Sequence, residues 1–312
     1  MIQIIGLFLA ILIDIILGDP PNRYHTTAWI GRFISLIKSR LKDKNPKREK
    51  VKGTLGALLV ISVVGITSYT LSLLSFDMII AIIVSTISLK MTIAIRSMEI
   101  HARKVIDAID DLDIARRELS MIVGRDTSSL DKEHILSAVI ESISENITDG
   151  ITSSLFYYSL FGITGAFIYR TINTLDSMLG YKDEYHKNIG YFSANLDTIA
   201  NYIPARLTAF VTILSAMLLK MEWRNALRII MKDSKNTPSL NSGWSMAGVA
   251  GALKVRLEKI GYYQIGEPYE EITVEHCYKA IKIMKITAIL FALIIALPLL
   301  IIRVYLIGWD FV

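Results

Sequence analysis

The chain has 312 residues, 52% of them hydrophobic, with 34 Lys and Arg against 29 Asp and Glu. Its apolar residues are gathered into long runs and its mean hydropathy is +0.44, which excludes an ordinary soluble globule and predicts a multi-pass membrane protein. The single cysteine, Cys277, excludes an intramolecular disulfide and any paired-cysteine metal site, and the net charge of +5 is assigned to membrane topology, with no nucleic acid as partner.

The first segment, "MIQIIGLFLAILIDIILGDPP", lacks a basic n-region and a small-residue cleavage pattern, and it carries Asp14 inside its apolar run. It is expected to be a retained membrane helix, not a signal peptide. The Gly18-Asp19-Pro20-Pro21 corner would hold Asp14, Asp19 and His25 at one end of that helix. The group is read either as a cation or phosphate-metal site or as a helix-ending turn with a buried Asp paired to an Arg. Residues 22–53 then bring ten Lys and Arg against Asp43 and Glu49, which places this loop in the cytoplasm and the N-terminus outside.

Residues 54–76 hold no charge and are long enough to span a bilayer core of about 30 Å. Asp77 marks a tight turn, and 78–95 are apolar except for Lys90, whose stem could carry its ammonium to an interface or cavity. The two runs predict a transmembrane hairpin. Residues 96–150 are polar enough for a cytoplasmic helical segment, with a helix broken near Asp110-Asp111 and a second one capped around Ser129, with Lys132-Glu133 downstream.

That second helix ends in "AVIESISENITDGIT", where Glu141, Glu145 and Asp149 recur every four residues with Asn146 beside them. Such an acidic stripe is either a solvated helix face or a site for Mg²⁺, which takes few carboxylates and leaves positions for water and phosphate. The adjoining apolar run and Gly150 favour the site, with Glu145 and Asp149 as the metal ligands. Residues 151–169 carry Ser, Thr, Tyr and Gly and could span, re-enter or line a cavity; 203–219 form a shorter run with Pro204 at its start. Both are read as partial crossings.

Further polar groups accompany these runs. Arg170, Asn173 and Asp176 recur every three residues before Gly180-Tyr181-Lys182 ends their helix, a pattern suited to a phosphate or to an intrahelical ion pair. Asp197 and Asn201 are four apart, and Arg206, just inside an apolar helix, is expected to need an anionic partner, either Asp197 or a ligand. In "NSGWSMAGVAGALK", Asn241, Gly243, Trp244 and the small residues that follow allow close approach of another helix or of a large flat ligand. A last apolar run, 286–302, contains Pro298, expected to kink it, and is followed by Arg303.

The expected fold is all-α: a multi-pass integral membrane protein with five to six membrane-associated helices plus a cytoplasmic helical segment. Its order is 1–95, membrane helix, basic loop and hairpin; 96–150, the cytoplasmic segment; and 151–312, the membrane-embedded remainder with a C-terminal span. Neither G-x-x-x-x-G-K-[ST] nor H-E-x-x-H occurs, which disfavours a P-loop and a zincin site.

Six stretches in order, "DIILGDPPNRYH…WIGR", "IVGRDTSSLD", "ESISENITDG", "YRTINTLDSMLGYK", "LDTIANYIPARLTA" and "NSGWSMAGVAGALKVRL", resemble the CobD/CbiB family of cobalamin biosynthesis, and together they cover most of the chain. Two departures occur: Thr26 follows His25 and Leu240 precedes Asn241 where the family usually has proline. The resemblance implies an adenosylcobinamide-phosphate synthase, an acid-amine ligase joining adenosylcobyric acid to an aminopropanol phosphate with ATP and Mg²⁺. It implies a corrinoid and an amino-alcohol phosphate as substrates, the lipid bilayer as surroundings, and other membrane enzymes of that pathway as partners. On that reading Glu141, Glu145, Asn146, Asp149, Asn173, Asp176 and Lys182 are catalytic. Asp14, Asp19, His25, Arg170, Tyr181, Asp197, Asn201, Arg206, Asn241, Gly243 and Trp244 bind substrate or phosphate.

The site would face the cytoplasm from the plasma membrane. A full crossing by 151–169 would place Asp176 and Lys182 on the other side from Glu145, so 151–169 and 203–219 are expected to be broken or re-entrant around a cavity open to the cytoplasm. The rival readings are an AmpE-like membrane sensor or assembly protein and a small ion transporter.

Overall fold

A computed structural model describes residues 1–73 and 77–306. The last three residues of the expected 54–76 span lie outside the described residues. In chain order the helices are α1 (Ile2–Leu17), α2 (Thr26–Lys38), α3 (Pro46–Leu73), α4 (Met78–Lys90), α5 (Ile95–Asp107), α6 (Leu112–Ser120) and α7 (Lys132–Ile147). They continue as α8 (Ser153–Leu179), α9 (Tyr191–Ala200), α10 (Tyr202–Leu218), α11 (Trp223–Asp233), α12 (Ser242–Leu253), α13 (Val274–Phe291) and α14 (Leu297–Ile301). One short antiparallel hairpin, β1 (Arg256–Lys259) and β2 (Tyr263–Gly266), follows α12 and pairs Lys259 with Tyr263.

The protein is an all-α multi-pass membrane protein. Among the described residues, Pro46–Leu73, Met78–Asp107, Lys132–Leu179 and Val274–Tyr305 are long and apolar enough to cross a membrane, with a fifth span if Tyr191–Ala200 and Tyr202–Leu218 count as one. The surface of α3 shows why: Leu55, Leu59 and Ile66 are more than half exposed, whereas Gly56, Ala57 and Val60 face inward. Large aliphatics outside and small residues inside is the packing of a helix whose outer solvent is lipid.

Packing groups the described residues into two units that do not follow their linear order: 1–73, 77–93, 153–201 and 292–306 form the first, and 94–152 with 202–291 form the second. In the first unit, α2, α3 and α8 meet over Ile30, Ile34, Ala57, Val60, Leu175 and Leu179. Helix α8 is broken inside this unit. Phe161 leaves the helical region at φ −132° and Gly162 sits at φ 65°, a conformation open to glycine and strained for residues with a Cβ. Arg303, itself buried, donates to the Tyr158 carbonyl at 3.0 Å in the turn before the break, where a helical partner is lost. Pro298 is accommodated by a preceding π-helical turn, Ala292–Ala296, which absorbs the register change that its missing N–H imposes.

In the second unit, α5 and α6 break between Asp107 and Leu112, as the Asp110-Asp111 pair implies, and Asp111 caps α6 by accepting from the N–H groups of Asp113 and Ile114. The cap of α7 is Asp131, not Ser129: its carboxylate accepts from His134 N at 2.9 Å. An acidic side chain directly at the N-terminus satisfies an orphan amide and meets the positive end of the helix dipole. Helix α12 packs closely on its neighbours because a Cβ on Gly251 would meet the backbone of Ala226 on α11.

Candidate functional site

The polar residues fall into separate groups within each unit. In the second unit, Glu141 on α7 is 5% exposed and saturated with donors. Its Oε1 accepts from Arg125 Nη2 at 3.2 Å and Ser137 Oγ at 3.0 Å, and its Oε2 accepts from the Tyr263 hydroxyl at 2.9 Å. Glu145, one turn further along α7, stands within electrostatic reach of Glu141, Arg125, Lys259 and Ser242. Arg125, Glu141, Glu145, Lys259 and Tyr263 together line a cavity of about 100 Å³. Burial first, and then the negative charges of Glu141 and Glu145, push the Tyr263 hydroxyl well above its ordinary pKa, so it stays a donor.

One lining residue keeps an unsatisfied donor: the Nε of Arg125 is buried without an acceptor among the described residues. A buried guanidinium donor left unpaired is costly, and a carboxylate or phosphate oxygen is the acceptor that suits it. The cavity thus presents cations for an anion beside a carboxylate, Glu145, that retains accepting capacity.

The acidic stripe only partly converges. Helix α7 ends at Ile147 and the chain continues as a π-helical turn, Thr148–Thr152, which shifts the register of Asp149. Asp149 does not line the cavity. Asn146 turns its amide back to the Ser142 carbonyl at 2.9 Å. Among the described residues no three His, Cys, Asp or Glu side chains come together as a metal site. With Glu141 taken up by its donors, Glu145 fits a Mg²⁺ ion only in the manner of a metal held by one carboxylate, with water and phosphate completing its shell.

Also in this unit, Arg206 departs from expectation. It is half-buried and forms no ion pair among the described residues; its guanidinium lies 3.5 Å from the centroid of the Tyr202 ring and 4.8 Å from that of Trp244. It donates to the Tyr202 carbonyl at 2.5 Å and to Asn241 Oδ1 at 3.1 Å. Two ring faces and two neutral oxygens hold a guanidinium that keeps access to water, and Asp197 is not its partner. Gly243 serves packing: a Cβ there would strike the Ser234 carbonyl.

In the first unit, the Asp14 group is a buried ion cluster whose cation is a lysine, not an arginine. Lys90 on α4 lies 2.6 Å from Asp19 Oδ1 and 3.5 Å from Asp14 Oδ1. His25 caps α2 by accepting from Thr27 N on Nδ1, and its Nε2 lies 3.3 Å from Asp19 Oδ1. Burial raises the Asp19 pKa, but hydrogen bonds from His25 and Lys90 and their charge outweigh it and hold the carboxyl at about 2.

A second group in this unit centres on Asp197, which accepts from Asn201 Nδ2 at 3.0 Å and Asn173 Nδ2 at 3.4 Å. Asn201 is fixed in turn by Ser153 Oγ at 2.7 Å and the Tyr169 hydroxyl at 2.8 Å. Arg170 reaches Asn173 Oδ1 at 3.4 Å, and Asp176 lies within electrostatic reach of Asp197. Tyr181 and Lys182 are exposed on the loop after α8.

Three titratable lining residues are missing from the sequence-based set: Arg125, Lys259 and Tyr263. Arg125 sits in a quoted family-like stretch but more than a dozen residues from Glu141, and the other two belong to a hairpin of four-residue strands. The alternation in "RLEKIGYYQIG", with Gly261 at φ 74° in its turn, is the signal that marks it.

A model of the CobD/CbiB protein family matches residues 7–293. The chain is 40% identical over 306 residues to a probable cobalamin biosynthesis protein CobD of Methanothermobacter thermautotrophicus, covering 97% of this chain and 100% of that protein. It is 41% identical to the corresponding protein of Methanocaldococcus jannaschii, covering 95% of this chain and 98% of that one. It is 36% identical to a cobalamin biosynthesis protein CobD of Clostridium perfringens, covering 92% and 95%. No solved structure matches. With the family model spanning nearly its whole length and relatives of this similarity covered end to end, the chain belongs to the CobD/CbiB family.

Proposed function

We propose that this protein is an ATP-dependent synthase of cobalamin biosynthesis that joins adenosylcobyric acid to an aminopropanol phosphate, giving adenosylcobinamide phosphate. The observation that carries the reading is the cavity lined together by Arg125, Lys259 and Glu145, with the Nε of Arg125 lacking an acceptor among the described residues. In the first step the substrate carboxylate takes the γ-phosphoryl group of ATP, forming an acyl phosphate and releasing ADP. The amine then adds to the acyl carbon, the acyl C–O bond breaks, inorganic phosphate departs and the nitrogen loses a proton.

Arg125 and Lys259 would hold the phosphoryl oxygens, where preorganised cations stabilise moving charge. Glu145 would accept the proton from the attacking nitrogen. Glu141, saturated by Arg125, Ser137 and Tyr263, would keep Arg125 in place. Mg²⁺ bound at Glu145 would supply neutralisation of phosphate charge. The bilayer surrounds the protein, and access from the cytoplasm would supply ATP.

The test is product formation by the detergent-purified chain given adenosylcobyric acid, aminopropanol phosphate, ATP and Mg²⁺, with the amide detected by mass. Metal-dependent product supports the reading. Folded protein that yields no amide across a series of amino alcohols and their phosphates refutes it.

A further inference from the structure

A second basic cavity lies in the second unit, away from the Glu145 group in sequence and in lining. Its volume is about 390 Å³ and its charged lining is Lys220, Lys254, Lys279 and Lys282 with Glu222 and Glu270. Two features set it apart from an ordinary charged surface. Lys220 and Lys254, at φ 55° and 61°, are the non-glycine residues with left-handed backbone among the described residues, and both line this cavity. Glycine fills such positions without steric cost, so a long cation at both is a choice of side chain against the backbone preference.

The charge is also unbalanced. Lys254 pairs with Glu270 at 3.6 Å and Lys279 with Glu275 at 2.9 Å, and His276 also reaches Glu270. Lys220 and Lys282 form no ion pair among the described residues. Four ammonium groups against two carboxylates leave a charge of +2 in the lining. The C-terminal ends of α10 and α12, which open here, take back roughly half a charge each. Glu275, paired with Lys279, offsets the remainder, so what the cavity offers a ligand is the two ammonium groups without an ion pair, Lys220 and Lys282.

The position fixes the depth. Lys220 lies two residues past the end of α10, and Lys282 precedes the apolar run 286–302 by four residues, about 6 Å along a helix. The cavity therefore opens where apolar helices leave the hydrocarbon, the level of lipid phosphates, and basic pockets beside membrane helices at this level suit anionic headgroups. We propose that this cavity is a phosphate-binding site at the membrane boundary, filled by the headgroup of an acidic phospholipid or by free phosphate.

The experiment is native mass spectrometry of the full chain released from detergent, with phosphatidylglycerol or phosphatidylcholine added and inorganic phosphate as competitor. Wild type is expected to retain phosphatidylglycerol over phosphatidylcholine. Lys220→Gln with Lys282→Gln is expected to weaken that retention about thirtyfold, each lysine contributing about fivefold, with phosphatidylcholine unchanged. Displacement by millimolar inorganic phosphate assigns the site to free phosphate; no displacement assigns it to the headgroup. Lys220→Gly keeps the backbone conformation without the charge and is expected to bind about fivefold more weakly. Equal retention by Lys220→Gly and by the double variant, or a wild type that binds neither acidic lipid nor phosphate selectively, overturns the proposal.

Discussion

Two glutamates of the second unit are buried alike and surrounded differently. Glu99 on α5, 1% exposed, is held by three cations: Arg96 at 2.8 Å, Arg103 at 3.0 Å and Lys285 at 2.6 Å. Glu141 on α7, 5% exposed, meets one guanidinium and two hydroxyls, and a second carboxylate stands one turn away. The first arrangement exceeds what the carboxylate needs and pins α5 to α13. The second has a deficit of positive charge at the carboxylates and a spare guanidinium donor. Compensation, more than burial, separates a structural carboxylate from a chemical one.

The largest expected effect of breaking this contrast is at Arg125. Arg125→Ala removes the cation shared by Glu141 and the cavity, and amide formation should fall about 100- to 1000-fold, measured as turnover at saturating ATP. Glu99→Ala should leave turnover of the surviving folded protein near wild type and cost about 2–3 kcal/mol of stability, less than for a fully enclosed pair because Arg96 and Arg103 keep water contact. Denaturation in detergent reads that cost.

Asp19 extends the comparison to a compensated carboxylate of the first unit. Its folded pKa of about 2 lies below the ordinary 3.8, so its stabilisation is complete above about pH 4 and is lost as pH falls through 2. A shift of this size corresponds to about 2 kcal/mol. The melting temperature of wild type should drop more steeply than that of Asp19→Asn between pH 5 and pH 2.5. The smallest effect is expected from Tyr263→Phe, which deletes one donor to Glu141: about 1.5 kcal/mol, or roughly tenfold in turnover. Equal loss from Tyr263→Phe and Arg125→Ala would show that the hydroxyl, not the cation, organises the cavity.

The spans were legible where charge is absent over a full bilayer thickness, as in the apolar stretch of α3 and in 286–302. The break inside α8 was expected as an irregularity, but its place at Gly162 was not, since glycines also sit in intact membrane helices. Lys90 is in neither of the two readings of the Asp14 group, a metal site or a pairing with arginine, because nothing in the linear order brings α4 to the end of α1. The surroundings of Arg206 were not legible for a different reason: an arginine beside apolar residues needs an anionic neighbour only if water is excluded, and exposure appears only in three dimensions. The stripe of Glu141 and Glu145 was visible at helical spacing, whereas the π-helical turn that moves Asp149 has no periodic signature. The cations facing the stripe come from a loop and a hairpin remote in sequence, so the cavity itself was beyond a reading of α7 alone.

The most direct measurement is turnover of Glu145→Gln, which keeps the size and polarity of the side chain and removes its charge. With adenosylcobyric acid, aminopropanol phosphate, ATP and Mg²⁺, the variant should make the amide at about 1% of the wild-type rate or less while melting at the wild-type temperature. Amide formation at the wild-type rate, with the wild-type dependence on Mg²⁺, would contradict the assignment of this cavity as the place of reaction.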